Sequence, residues 1–121
     1  RAFELYGGGV IPYQADIGKG TILGYQACGI VIHKRCVIGT GCHISQGVTI
    51  GGTSGLYEVP VLGENVQVGA NAVIIGPVHV GSGSVIGAGA VVTRDIPPRS
   101  VAVGVPAKVV KTLEENETAS I

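Results

Sequence analysis

Residues 29–52 read GIVIHKRCVIGTGCHISQGVTIGG, and the aliphatic side chains in this stretch keep a fixed beat. Ile32, Ile38, Ile44 and Ile50 lie six residues apart, and the series runs on through Leu56, Leu62, Val68, Ile74, Val80, Ile86 and Val92. A glycine often follows the aliphatic, as at Gly39, Gly51, Gly63, Gly69, Gly81 and Gly87. Four residues after the aliphatic comes something compact, among them Cys36, Cys42, Val48, Ser54, Val66, Ala72, Val78, Ser84 and Ala90. Neither a helix of 3.6 residues per turn nor an alternating hairpin repeats every six residues. A flat strand of about four residues followed by a glycine-eased corner does. Three such sides close a triangular coil, and stacked coils pair strand on strand at about 4.8 Å.

Working outward, Ile11, Ile17 and Leu23 keep the same spacing three residues out of phase, which predicts a short insertion around Tyr25 to Gly29. The segment GGTSGLYEVP, residues 51–60, breaks the pattern and lets it resume in phase. It is expected to be a loop thrown out from one corner, where function tends to sit. Residues 11 to about 104 then make about five coils in an all-β parallel β-helix. The tail 111–121, polar and acidic, is expected to be a short helix or disordered. Residues 1–121 read as one domain.

The composition agrees. Glycine supplies 21 of 121 residues, and hydrophobic residues are 45% while aromatics are only 4%, so Val, Ile and Ala must build the core. Cys36 and Cys42 fall at compact core positions and read as filler. Net charge is zero with no basic run, which speaks against a nucleic-acid partner. No apolar stretch approaches the roughly 20 residues of a membrane span. The chain opens at Arg1 with no signal-peptide pattern, and its three cysteines show no C-x-x-C spacing, so reduced thiols and a cytoplasmic location are expected. On the outer surface, residues eighteen apart should share a side. Val37, Val73 and Val91 would thus form an apolar column, with His43 and His79 together on another side, provided the loop preserves the coil count. An apolar outer face predicts an oligomer.

The hexads resemble those of the hexapeptide-repeat acyltransferases. CGIVIHKRCVIGTGCHISQGVTIGG and the closing VIGAGAVVTRDIPPRSVAVGVPAKVV are similar to the serine acetyltransferase branch and its relatives that acetylate polysaccharides. The resemblance implies a left-handed winding, a homotrimer with sites between neighbouring prisms, and acetyl transfer from acetyl-CoA to a hydroxyl. It also implies that the Gly69-Ala70 and Gly87-Ala88 corners, with Gly51, Gly52 and Thr53 at the loop, border the acetyl-CoA slot. Lys108 in GVPAK would meet the CoA phosphates, helped by Arg94 and Lys111. The helical segment that precedes the solenoid in serine acetyltransferases is absent, so the expected acceptor is a sugar or polysaccharide hydroxyl. Serine is the alternative acceptor, and a scaffold without catalysis is a further one.

In the family a catalytic histidine follows the step matching Leu23-Gly24, where this chain has Tyr25 and Gln26. The family's second histidine lies in the loop, and this loop has none. The candidates for the catalytic group are therefore His33, at a corner where most hexads have glycine, His43, just before the loop, and Tyr25. His79 reads as a surface residue and Glu58 as a solvated loop carboxylate. No metal is expected, because a carbonic-anhydrase-like site would need three convergent histidines and His33, His43 and His79 lack a close pair.

Overall fold

The computed structural model describes residues 2–4, 10–12 and 14–114, leaving out the side chains of 2–4, 10, 25 and 26. The chain opens with β1 (Ala2–Glu4), β2 (Val10–Pro12), β3 (Asp16–Ile17) and β4 (Ile22–Leu23). The next turns comprise β5 (Val31–Ile32), β6 (Val37–Ile38) and β7 (His43–Ile44), then β8 (Thr49–Gly51), β9 (Val61–Leu62) and β10 (Gln67–Val68). They are followed by β11 (Val73–Ile75), β12 (His79–Val80), β13 (Val85–Ile86) and β14 (Val91–Val92), and the chain closes on β15 (Ser100–Val103) and β16 (Lys108–Thr112).

Three sheets result, each one face of a prism. The first face runs β1-β2-β5-β8-β11-β14, the second β3-β6-β9-β12, and the third β4-β7-β10-β13-β15-β16. All pairings between coils are parallel, and antiparallel strands occur only at the ends, β1 on β2 and β16 on β15. This is a left-handed parallel β-helix. Residues 108–112, whose last two positions were expected to begin a helical or disordered tail, continue the third sheet instead.

The six-residue beat reflects what lies inside. Ile32, Ile38, Ile44, Ile50, Leu62, Ile74 and Ile86 are fully buried and stack along the prism axis. Burying each such side chain contributes about 1.5–3 kcal/mol. The compact set, Cys36, Cys42, Val48, Val66, Ala72, Ser84 and Ala90, fills the space between them. Ser84 satisfies its hydroxyl by donating to the Pro97 carbonyl at 2.8 Å. Burial pushes the Cys36 thiol pKa up to about 11 and raises that of Cys42 as well, as suits core filler. At Gly39 the corner leaves no room for a side chain, since a Cβ there would lie 2.5 Å from the Gly63 carbonyl oxygen of the next coil.

Ladder spacing locates both irregularities. Val31 pairs with Thr49, and Val73 with Val91, eighteen residues on. Val10 to Val31 takes 21, because the short 3-10 turn Gly24–Ala27 inserts three residues at the corner between third and first faces. Thr49 to Val73 takes 24, because the loop adds a whole hexad at the corner between first and second faces. These nine extra residues, half a coil, do not advance around the axis, so the solenoid falls short of the five coils the period alone predicted and makes about four turns. Leu56, counted in the beat, lies in the loop and is 52% exposed.

Because the extra hexad makes no side of its own, every later residue lies one face back from where the plain period would put it. Val37 therefore lies on the second face and Val73 with Val91 on the first, so the predicted column is not formed. The outward line on the first face is instead Val31, Thr49, Val73 and Val91. His43 lies on the third face and His79 on the second.

Candidate functional site

The corner between first and second faces carries both His33 and the ejected loop. His33 directly follows β5: its N–H donates to the Ile50 carbonyl at 2.8 Å, and its own carbonyl accepts the Cys36 N–H at 3.0 Å. The imidazole folds back over this turn, so that Nδ1 accepts the Arg35 N–H at 3.0 Å. The side chain thus caps its own turn, the local bond two residues on that Asn and Asp commonly make. Partial burial first, then the cationic charges of Arg35 and Lys34, lower the His33 pKa.

Arg35 also holds the loop. Its Nε and Nη2 donate to the Tyr57 carbonyl at 3.2 and 2.6 Å, and its guanidinium lies 4.0 Å from the centre of the Tyr57 ring. The strand of loop returning to β9 tucks Val59 into the core. At the loop's root, a Cβ on Gly52 would meet Val59 Cγ1 at 3.1 Å and His33 Cδ2 at 3.9 Å, so glycine keeps a notch open beside the imidazole. Nothing lies within 4 Å of the corresponding point on Gly51. The Thr53 hydroxyl is buried beside Gly76 and has no hydrogen-bond partner among the described residues.

The remaining sequence-selected residues divide into two other places. Gly69-Ala70 and Gly87-Ala88 stack at the corner between third and first faces, where the Gly69 N–H donates to Ile86 and the Gly87 N–H to Ala102. Those two N–H groups hold coils together; the exposed edge they build is what a ligand would meet. Lys108 pairs with Val103 at the far end of the same edge. The backbone of Tyr25 belongs to the 3-10 turn at its head, and the Tyr25 side chain lies outside the described residues. His43 projects from the third face into a cleft of about 660 Å³ lined also by Asn65, Gln67, Arg99 and Leu113. That face is opposite the His33 corner, so the structure does not bring His33 and His43 together. Arg94 is exposed beyond β14 and Lys111 lies on β16. Glu58 is an exposed loop residue.

Arg35 and Tyr57 were not singled out from the sequence, since 22 residues separate them and no motif joins them. An arginine two residues past an anomalous histidine, and the lone aromatic of the loop, were the available signals. Among the described residues no three His, Cys, Asp or Glu side chains converge as metal ligands, and no helix is long and apolar enough to cross a membrane.

Within this solenoid of stacked hexads, the bacterial transferase hexapeptide family (six repeats) matches residues 60–94. The match and the relatives fit the hexapeptide-repeat acyltransferase superfamily, serine acetyltransferase-like. It is 38% identical over 119 residues to serine acetyltransferase 2 of Arabidopsis thaliana, covering 97% of this chain and 36% of that protein. It is 46% identical over 98 residues to the Escherichia coli serine acetyltransferase, covering 79% of this chain and again 36% of the relative. The chain thus spans little more than a third of the length of either. The solved serine acetyltransferase of Neisseria gonorrhoeae is similar with a TM-score of 0.78 and 42% identity, covering 82% of this chain and 39% of that one. Another, solved as a complex with CoA, gives 0.76 and 40%, covering 84% and 41%.

These relatives correct the expected acceptor, supporting serine over a sugar or polysaccharide. The sugar expectation leaned on a segment outside the part shared with these relatives, which is the solenoid itself.

Proposed function

We propose that the protein transfers an acetyl group from acetyl-CoA to the hydroxyl of serine. The observation that carries this reading is the 46% identity to a serine acetyltransferase over 98 residues, 79% of this chain. In this reading the thioester lies in the notch at Gly51 and Gly52, against His33, with the Thr53 hydroxyl supplying a partner to whatever fills it. The pantetheine and phosphates run along the Gly69-Ala70 and Gly87-Ala88 edge toward the Lys108 cation.

These two places stand at opposite ends of the first face. The reading therefore also takes the protein as a homotrimer, in which a neighbour packed on Val31, Val73 and Val91 brings one copy's loop to the next copy's edge. His43, on the opposite face, takes no part, and the inactive-scaffold alternative is set aside because the loop is held closed over a built corner. The reading places the enzyme in the cytoplasm, where its three free cysteines remain thiols.

Calorimetric titration with acetyl-CoA followed by a thiol-release assay tests the reading. Micromolar binding and CoA release that depends on L-serine, with no response to simple sugars, are expected. A folded protein that binds acetyl-CoA and releases CoA with no dependence on serine would refute it.

A further inference from the structure

A neutral imidazole has one nitrogen that donates and one that accepts. In His33 the accepting nitrogen is already assigned, because Nδ1 receives the Arg35 N–H at 3.0 Å. The proton of the neutral ring therefore resides on Nε2. A ring held in this state has no lone pair to offer a substrate hydroxyl: Nδ1 is occupied within its own turn and Nε2 is an N–H. Its Cδ2 edge, adjacent to Nε2, lies beside the notch that Gly52 keeps open. The reduced basicity of the ring, from burial and two neighbouring cations, favours the same neutral form.

We propose, on the reading above, that His33 acts in acetyl transfer as an Nε2–H donor to the thioester carbonyl oxygen and not as the general base. As the acceptor hydroxyl oxygen bonds to the carbonyl carbon, the π pair moves onto the carbonyl oxygen, where the Nε2–H meets the new charge. When that pair returns, the C–S bond breaks and the sulfur leaves with its electrons. The hydroxyl proton passes to a base outside this corner and ends on the CoA sulfur, so that an ester and a thiol replace an alcohol and a thioester. A donor aimed at a developing oxyanion typically accounts for about 10²–10³-fold in rate.

Two substitutions separate the functions of the ring. His33→Asn keeps an acceptor near Nδ1 for the Arg35 N–H and loses the distal donor. His33→Gln places an amide N–H near Nε2 and contains no base. The proposal expects His33→Gln to stay within about tenfold of wild type while His33→Asn and His33→Ala lose about 10²–10³-fold. Equal, complete loss in all three would overturn it, as would nitrogen NMR of the labelled wild-type protein showing the proton on Nδ1. The same rate ratios are read in the slow hydrolysis of acetyl-CoA by water, since the oxyanion forms whichever hydroxyl attacks. Absence of serine dependence therefore overturns the acceptor reading and leaves the test of His33 in force.

Discussion

Replacing Arg35 by alanine removes what ties the loop to the solenoid and leaves the coils alone. Two contacts go. The guanidinium donates twice to one carbonyl, at 3.2 and 2.6 Å, and covers the Tyr57 ring at 4.0 Å. The bonds lie exposed to solvent, so each is worth the lower end of its net range, about 0.5 kcal/mol. An exposed cation over an aromatic face adds about 0.5–1 kcal/mol. The total of about 1.5–2 kcal/mol corresponds to a rise of roughly 10- to 30-fold in the population of open loop. Amide hydrogen exchange over residues 53–58 should accelerate by that factor, and a protease should cut there first. The melting temperature should hold to within about 1 °C, since the loop opens locally and the stacked aliphatics do not depend on it. Because the acceptor is an uncharged carbonyl, raising the salt should alter the wild-type loop little. Arg35→Lys keeps the charge but not the planar fork, and should fall between. Unchanged exchange in Arg35→Ala, or a melting temperature lowered by many degrees, would refute the tether. The Arg35 backbone N–H remains in this variant, so the His33 ring should keep its tautomer.

Ile44, fully buried at the centre of the stack, should cost about 2–5 kcal/mol when replaced by alanine, measured by chemical denaturation. Iodoacetamide should label Cys28 in the native protein while Cys36 and Cys42 react only on unfolding, as Cys28 is exposed and burial raises the pKa of the other two. The His33 pKa is lower in the folded state than its unfolded value of 6.5, so the unfolded chain binds the extra proton. Its contribution to stability should be complete above pH 6.5 and decline as pH falls through the folded value. Denaturation midpoints followed downward from pH 7.5 should show this decline in wild type and a shallower one in His33→Asn.

The fold was legible because a solenoid repeats one environment, so each hexad restates the same requirement for an aliphatic, a compact residue and a tight corner. What periodicity conceals is any insertion equal to its own period. The loop adds one hexad, so Leu56 keeps the beat while pointing to solvent, and Val37 was grouped with Val73 and Val91 from which it is separated by a corner. The three-residue insertion at Gly24–Ala27 was visible because it broke the phase. At the site, His33 stood out as a histidine in a glycine position. Its partners did not, because the Arg35–Tyr57 contact joins a corner to a loop and belongs to no repeat. The state of the ring depends on one backbone hydrogen bond, which no residue pattern encodes.

The loop's length has a consequence for how such a surface can change. Inside, every hexad offers nearly the same plug, so the core does not register which face a given hexad serves. Outside, each carries its own lettering. Because the loop does not advance around the axis, removing six residues between Thr49 and Val61 would restore an ordinary 18-residue coil and leave Val73 and Val91 on the first face and His79 on the second. The three residues added at Gly24–Ala27 are likewise carried at a corner and leave the order of faces unchanged. A hexad inserted as a side of the stack, by contrast, would turn all the lettering beyond it by one third of a revolution.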